Sequence, residues 1–317
     1  MASKKQTKKI QSWERFLIVS DLDGTLLNNN SELSEYTCKV VRKVISYGHI
    51  FVIITGRPPQ NSLQFYKKIG LKHVMCNLNG AYIWNPSDKN FIPVNLCFNA
   101  DIAIRILSSR KIMRYVDNYV VENYKGTYIK YIPKLELKSA ALSSFHVHPN
   151  EKVVEMGDSV AKLKGVDCYS ILLQVKDSSK ENLGKIIFEL RFLSSTLISR
   201  VWQDPTLGYV VEINTKFANK GTALDYLSNY YSIPRENCIA FGDGENDDEM
   251  LSSATYGYAM MNGSVTAKLA ASYITKYTTH DDGVAKTLNY INKLIKTRVN
   301  NRNKTPTIDE MERKNRE

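Results

Sequence analysis

Asp21 and Asp23 stand two residues apart, directly after a short apolar run, with Gly24 behind them. Two acids at this spacing on a loop can take different tasks. Like charges this close are costly unless a cation lies between them or one is protonated. Gly24 allows a tight turn that re-aims the chain. Alone, the same string also fits a surface turn, since Asp and Gly dominate turns. Three later segments extend the pattern. Thr55-Gly56-Arg57 offers a hydroxyl and a small residue where a phosphate could meet backbone N–H groups. Lys220-Gly221 opens a helical stretch, and a lysine there gives a point charge for a phosphate beside a positive helix end. Gly242-Asp243-Gly244-Glu245-Asn246-Asp247-Asp248 supplies more hard oxygen donors of the kind magnesium takes, together with substrate phosphate. Taken singly, Thr55 fits a strand-end cap and Lys220 an exposed helix position. The joint placement points to phosphoryl chemistry.

The elements that would position these residues follow from the apolar pattern. Residues 16–20 and 50–54 read as buried parallel strands, and 73–76 as a third. A helix is expected between 34 and 47 with Ser34 as N-cap, and another from Pro58-Pro59 to about Ile69, stopped by Gly70. Strand and helix in alternation give a parallel sheet with helices on its faces, and ligands of such sheets bind beyond the carboxyl ends of the strands. From 86 to 208 the character becomes α+β. A hairpin is expected at 81–84 and 91–94, helices near 99–111, 150–163 and 179–193, and strands near 112–121, 127–132, 168–175 and 197–202. The parallel pattern is then expected to return with a strand at 209–213, a helix at 220–230, a strand at 238–241, a helix at 247–254, short strands at 256–260 and 273–274, and a closing helix at 284–296. The predicted fold is α/β: a doubly wound, parallel-sheet (Rossmann-like) core at 16–85 and 209–296, with an inserted α+β cap at 86–208. Crossings are expected at 82–86 and 207–209, with Gly208 as the flexible residue. Residues 1–15 and 297–317 read as polar tails.

Composition bounds the rest. With 43% hydrophobic and 24% charged residues, a core can form without disulfides or structural metal. The five cysteines, Cys38, Cys76, Cys97, Cys168 and Cys238, form no CxxC pair, which argues against a zinc site or a disulfide framework and for a reducing, cytoplasmic setting. No apolar run approaches the ~18 residues of a membrane helix, and the lysine-rich start does not read as a secretory signal. The net charge of +11 lies mostly in the ends, +4 in residues 1–15 and +4 in 293–317. Nucleic-acid binding through the fold itself is therefore not expected.

The chain resembles the haloacid dehalogenase-like hydrolases of the Cof type across about 16–296. The resemblance rests on DLDGTLL at 21–27, ITGRP at 54–58, LNGA at 78–81, NKGTAL at 219–224, AFGDGENDDEML at 240–251 and DDGVAKTL at 281–288. It implies a magnesium-dependent phosphatase acting on small phosphorylated metabolites, sugar phosphates above all, as a monomer or weak homodimer without membrane or nucleic-acid partners. In the family the first Asp is the nucleophile and the second the general acid/base, which implies those roles for Asp21 and Asp23. Magnesium would be held by the Asp21 side chain, the Asp23 carbonyl and Asp243, supported by Asn246 and Asp247. Thr55, the Gly56 N–H and Lys220 would hold the phosphoryl oxygens, and Arg57, Asn79 and Gly80 would face the substrate. The cap would choose the substrate; its polar candidates are Arg114, Lys130, His146 and His148. Met260-Met261-Asn262-Gly263 departs from the family's usual Met-Gly-Asn-Ala, which bears on the loop beside the site. A phosphomutase of the same superfamily and a catalytically idle regulatory protein are the competing readings.

Overall fold

The computed structural model describes residues 15–145, 147, 151–193 and 195–300, and the chain forms two compact units. The first comprises Met1–Ile54, Phe65–His73 and Leu224–Glu317, and the second Thr55–Gln64 and Val74–Ala223. The basic tails at 1–14 and 301–317, together with His146 and His148, lie outside the described residues.

The first unit is built on a five-stranded parallel sheet. Its order runs Tyr273–Ile274, Tyr256–Ala259, Cys238–Gly242, Leu17–Ser20, Ile50–Ile53. Strands Leu17–Ser20, Ile50–Ile53 and Cys238–Gly242 are buried along their whole length, as expected when helices cover both faces. Leu17 stands level with Cys238 on one side and Ile50 on the other. The carboxyl ends of these strands therefore deliver Asp21 and Asp243 in adjacent positions. Helix Glu35–Ser46 begins where the sequence places it, with the Ser34 hydroxyl accepting from the Thr37 N–H at 3.0 Å. Asp282 secures the same corner by accepting from the hydroxyls of Ser34 and Thr37.

The second unit holds a six-stranded sheet ordered Leu197–Asp204, Gly208–Thr215, Ser170–Val175, Val116–Asn123, Gly126–Ile129, Val153–Glu155. All neighbours are antiparallel except the last pair. One face is closed by helices Ala100–Leu107, Arg110–Met113 and Lys180–Leu190 over a core that includes Ile106, Tyr119, Leu173, Ile186 and Val211. The other face is apolar only in part, where Val120, Ile129, Leu172 and Val210 pack with Ala141 and Phe145 at the end of helix Leu135–Ser144. That helix is absent from the sequence reading. A small sheet of Met75–Asn77, Tyr82–Trp84 and Val94–Asn95 completes the unit.

Three expected elements differ. The strand at 73–76 appears as Met75–Asn77, but it pairs antiparallel with Tyr82–Trp84 and not within the parallel sheet. The intervening residues 78–81 are too few for a parallel crossover, so the chain folds back locally. The strand expected to return to the parallel sheet at 209–213 is Gly208–Thr215, an interior strand of the antiparallel sheet. Residues 204–208 form a hairpin turn in which the Asp204 carboxylate accepts from the N–H groups of Thr206 and Leu207, so Gly208 serves a turn here. The helix expected at 150–163 is instead strand Val153–Glu155 and a single 3-10 turn at Val160–Leu163. The adjacent valines at 153 and 154 suit a pleated strand.

Leu173 is fully buried in the larger core of the second unit. Leu173→Ala should cost about 3 kcal/mol of stability, within the range for large-to-small core changes. Denaturant unfolding followed by circular dichroism checks this; a shift below about 1 kcal/mol would contradict the assigned packing.

Candidate active site

Asp21 leaves the end of the Leu17–Ser20 strand almost fully buried, and its N–H is anchored to the Phe241 carbonyl at 3.0 Å. The strand paired directly with it, Cys238–Gly242, leads into Asp243. Gly24 lets the two loops approach: its φ is +67°, and a Cβ there would lie 2.1 Å from Asp243 Oδ2. Thr25 fixes the neighbouring carboxylate by donating its hydroxyl to Asp243 Oδ1 at 2.7 Å. Asp247 is fully buried, and its Oδ2 accepts from the N–H groups of Asp243 and Gly244 at 2.8 and 3.0 Å. Asp247 thus shapes the loop that presents Asp243.

Asp21, Asp243 and Asp247 each offer a carboxylate oxygen within 4.8 Å of the others. Three acids so close, two of them buried, call for a proton or a cation. An all-oxygen, carboxylate-rich donor set fits a hard divalent ion such as magnesium. Asp23 is exposed and outside this trio, as its expected contribution through the backbone carbonyl requires no side-chain approach. Asn246 is half-buried in the 3-10 turn Glu245–Asp247 on the same loop.

The sequence reading missed two supporting residues here. Thr25 is one. The other is Asn262, whose amide donates to the Gly24 carbonyl at 2.8 Å while its own carbonyl accepts from the Thr279 N–H at 2.8 Å. The departure at 260–263 therefore retains a side chain that ties the Asp21 loop in place. The preserved Asn at the third position of that string was the available signal.

The second unit carries the other expected residues. Thr55 is fully buried; its N–H bonds to the Cys76 carbonyl and its carbonyl accepts from the Asn79 N–H, both at 3.0 Å. Its hydroxyl accepts from the Arg57 N–H at 3.1 Å. Asn77, also missed, holds this loop by donating to the Arg57 carbonyl at 2.8 Å and the Ser62 hydroxyl at 2.7 Å. Leu78, Asn79 and Gly80 all have positive φ, at 52°, 55° and 89°. At Gly80 a Cβ would lie 2.7 Å from the Ala223 Cβ and 2.9 Å from the Asn219 carbonyl, so only glycine lets this turn rest on the start of helix Lys220–Tyr230. Lys220 is fully buried at the first position of that helix. A buried ammonium is stable only among acceptors or anions. Gly56 and Arg57 sit between Thr55 and the start of helix Pro59–Ile69. Of the cap candidates, Arg114 lies over the Tyr115 ring, and Lys130 lies over Tyr131 and pairs loosely with Asp158 at 4.0 Å. Both have local partners on the surface of the unit.

Comparison with known proteins accords with these features. Residues 18–288 match the haloacid dehalogenase-like hydrolase family. The 5-amino-6-(5-phospho-D-ribitylamino)uracil phosphatase YitU of Bacillus subtilis is 31% identical over 86% of this chain and 96% of its own length. The Bacillus subtilis phosphatase YwpJ is 27% identical over 87% of this chain and 99% of its own. Among solved structures, a haloacid dehalogenase-like hydrolase from B. subtilis superposes with a TM-score of 0.69 at 26% identity, covering 87% of this chain and 99% of that one.

Removing the hydroxyl that holds Asp243 should weaken the ion site while leaving its carboxylates in place. Thr25→Val is expected to reduce magnesium affinity about tenfold, as loss of an outer partner of a metal ligand does. Isothermal titration with magnesium measures it; unchanged affinity would remove Thr25 from the site.

Proposed function

The chain belongs to the haloacid dehalogenase-like hydrolases, of the Cof type, and is a phosphatase, and from that premise we propose that it hydrolyses small phosphorylated metabolites, sugar phosphates foremost, with magnesium and through a phospho-aspartate on Asp21. The observation that carries this reading is the trio of Asp21, Asp243 and Asp247 at the carboxyl ends of adjacent parallel strands.

A carboxylate is repelled by a phosphate dianion, so attack needs that charge neutralised. Magnesium, when bound by Asp21, Asp243 and the Asp23 carbonyl with support from Asn246 and Asp247, would supply neutralisation of phosphoryl charge. Lys220 and Thr55, with the Gly56 N–H, hold phosphoryl oxygens, and the lysine adds a positive charge that favours the transition state. An Asp21 oxygen attacks phosphorus, the bond from phosphorus to the ester oxygen breaks, and Asp23 delivers a proton to the departing alkoxide. Asp23, now a carboxylate, takes a proton from water as that water attacks the phosphorus of phospho-Asp21. Phosphate leaves and both acids return to their starting states. Arg57, Asn79 and Gly80 would face the substrate, and the segment 86–208 would select the leaving group. A cytoplasmic setting is supported by five free cysteines.

Asp21→Asn should fold normally and lose essentially all turnover, because an amide does not form the acyl phosphate. Steady-state hydrolysis of a generic aryl phosphate measures this, and retention of more than about one hundredth of the rate would refute nucleophilic catalysis by Asp21. Excess chelator should abolish the same activity, and added magnesium should restore it; full activity in chelator would refute the ion's role.

A further inference from the structure

The parallel sheet of the first unit ends in a short edge strand, Tyr273–Ile274, and aromatic rings lead out to it. Register sets Phe241 level with Tyr258, and Tyr258 level with Tyr273. The rings stack in that order, with centroids 5.3 and 5.0 Å apart and interplanar angles of 19° and 25°. Level residues on adjacent strands share a face, so the three rings form one ladder across the sheet.

Tyr258 and Tyr273 line a cavity of about 1000 Å³, at the upper end of the range for small-ligand sites. The closing helix Gly283–Asn300 adds Lys286 and Tyr290, and helix Glu35–Ser46 adds Tyr36 and Lys43. The Asn289 amide donates to the Tyr36 hydroxyl at 2.8 Å, which joins the two helices at this point. Buried Thr275 fixes the turn that leaves the edge strand. Its hydroxyl donates to the Tyr277 carbonyl at 2.7 Å and accepts from the Met261 N–H at 3.0 Å. The lining is therefore tied together by the fold.

Its charge has one sign. Lys43, Lys268, Lys276 and Lys286 all line the cavity, and no acid lines it among the described residues. Among the described residues none of these four lysines has a carboxylate partner. The Lys286 ammonium instead lies 4.2 Å from the centre of the Tyr277 ring. Four cations around one space repel one another and concentrate anions there. Lysine meets phosphate as a point charge, and aromatic side chains give a nucleobase a face to stack on. We propose that this cavity binds a nucleoside polyphosphate, with the base packed against Tyr273 and the phosphates among the lysines. The site is distinct from the acidic trio: its edge strand lies two strands away from Cys238–Gly242, which leads into Asp243. The inference goes beyond the phosphatase reading and does not depend on it.

The test is isothermal titration of the full-length protein, in excess chelator, with ATP, adenosine and tripolyphosphate. ATP should bind at least about tenfold more tightly than either part alone, because one part lacks the ring and the other the charge. Tyr273→Leu should weaken ATP about tenfold and leave tripolyphosphate within about twofold, since only the stacking face is lost. Tyr277→Leu, at an exposed position, carries the same expectation should the first variant not fold. Lys268→Ala combined with Lys286→Ala should weaken ATP and tripolyphosphate alike, by about tenfold or more. Tripolyphosphate or adenosine binding as tightly as ATP overturns the proposal. So does an ATP affinity that moves less than about twofold in the folded variants, which would place the nucleotide elsewhere, the residues around Lys220 included. A single-stranded oligothymidylate that binds more tightly than ATP would make the cavity a nucleic-acid surface and overturn it as well.

Discussion

Repulsion among three carboxylates organises the first unit. Asp21, Asp243 and Asp247 lie within 4.8 Å of one another because two parallel strands end side by side and their loops turn inward. No packing preference favours that arrangement. It persists because neighbouring groups spend their hydrogen bonds on it: the Thr25 hydroxyl on Asp243, two loop N–H groups on Asp247, and Asn262 on the loop that carries Asp21. Gly24 has no Cβ to push the loops apart. The three carboxylates form an all-oxygen donor set suited to a hard cation.

The second unit solves a related problem with opposite charge. Lys220 is buried at a helix start, and the turn at 78–80 is shaped by three positive φ angles so that it can rest there. Asn77 links that turn to the loop after Thr55.

Much of this was legible from the sequence, for physical reasons that vary by element. Buried parallel strands read clearly because a run such as 17–20 has no polar face to confuse the period. Ser34 announced its helix through capping chemistry. The chemistry-bearing residues stood out because acids at a strand end have no structural economy unless something binds them. Pairing partners were harder. Residues 209–213 show the same apolar run in either sheet, and only the preceding Asp204 turn decides the partner. Residues 153–155 were misread because two adjacent valines fit a helical face as well as a strand until Gly157 is given weight.

The central claim is that Asp21 becomes covalently phosphorylated during turnover. The most direct measurement is acid quenching of the magnesium-loaded protein within milliseconds of mixing with a phosphate ester labelled in its phosphoryl group, followed by peptide mapping of the label. The account predicts phosphoryl label on the peptide containing Asp21, appearing at least as fast as steady-state turnover and removed by hydroxylamine as an acyl phosphate. Label on a different residue, or rapid turnover in which water takes the phosphoryl group and Asp21 is never labelled, would contradict it.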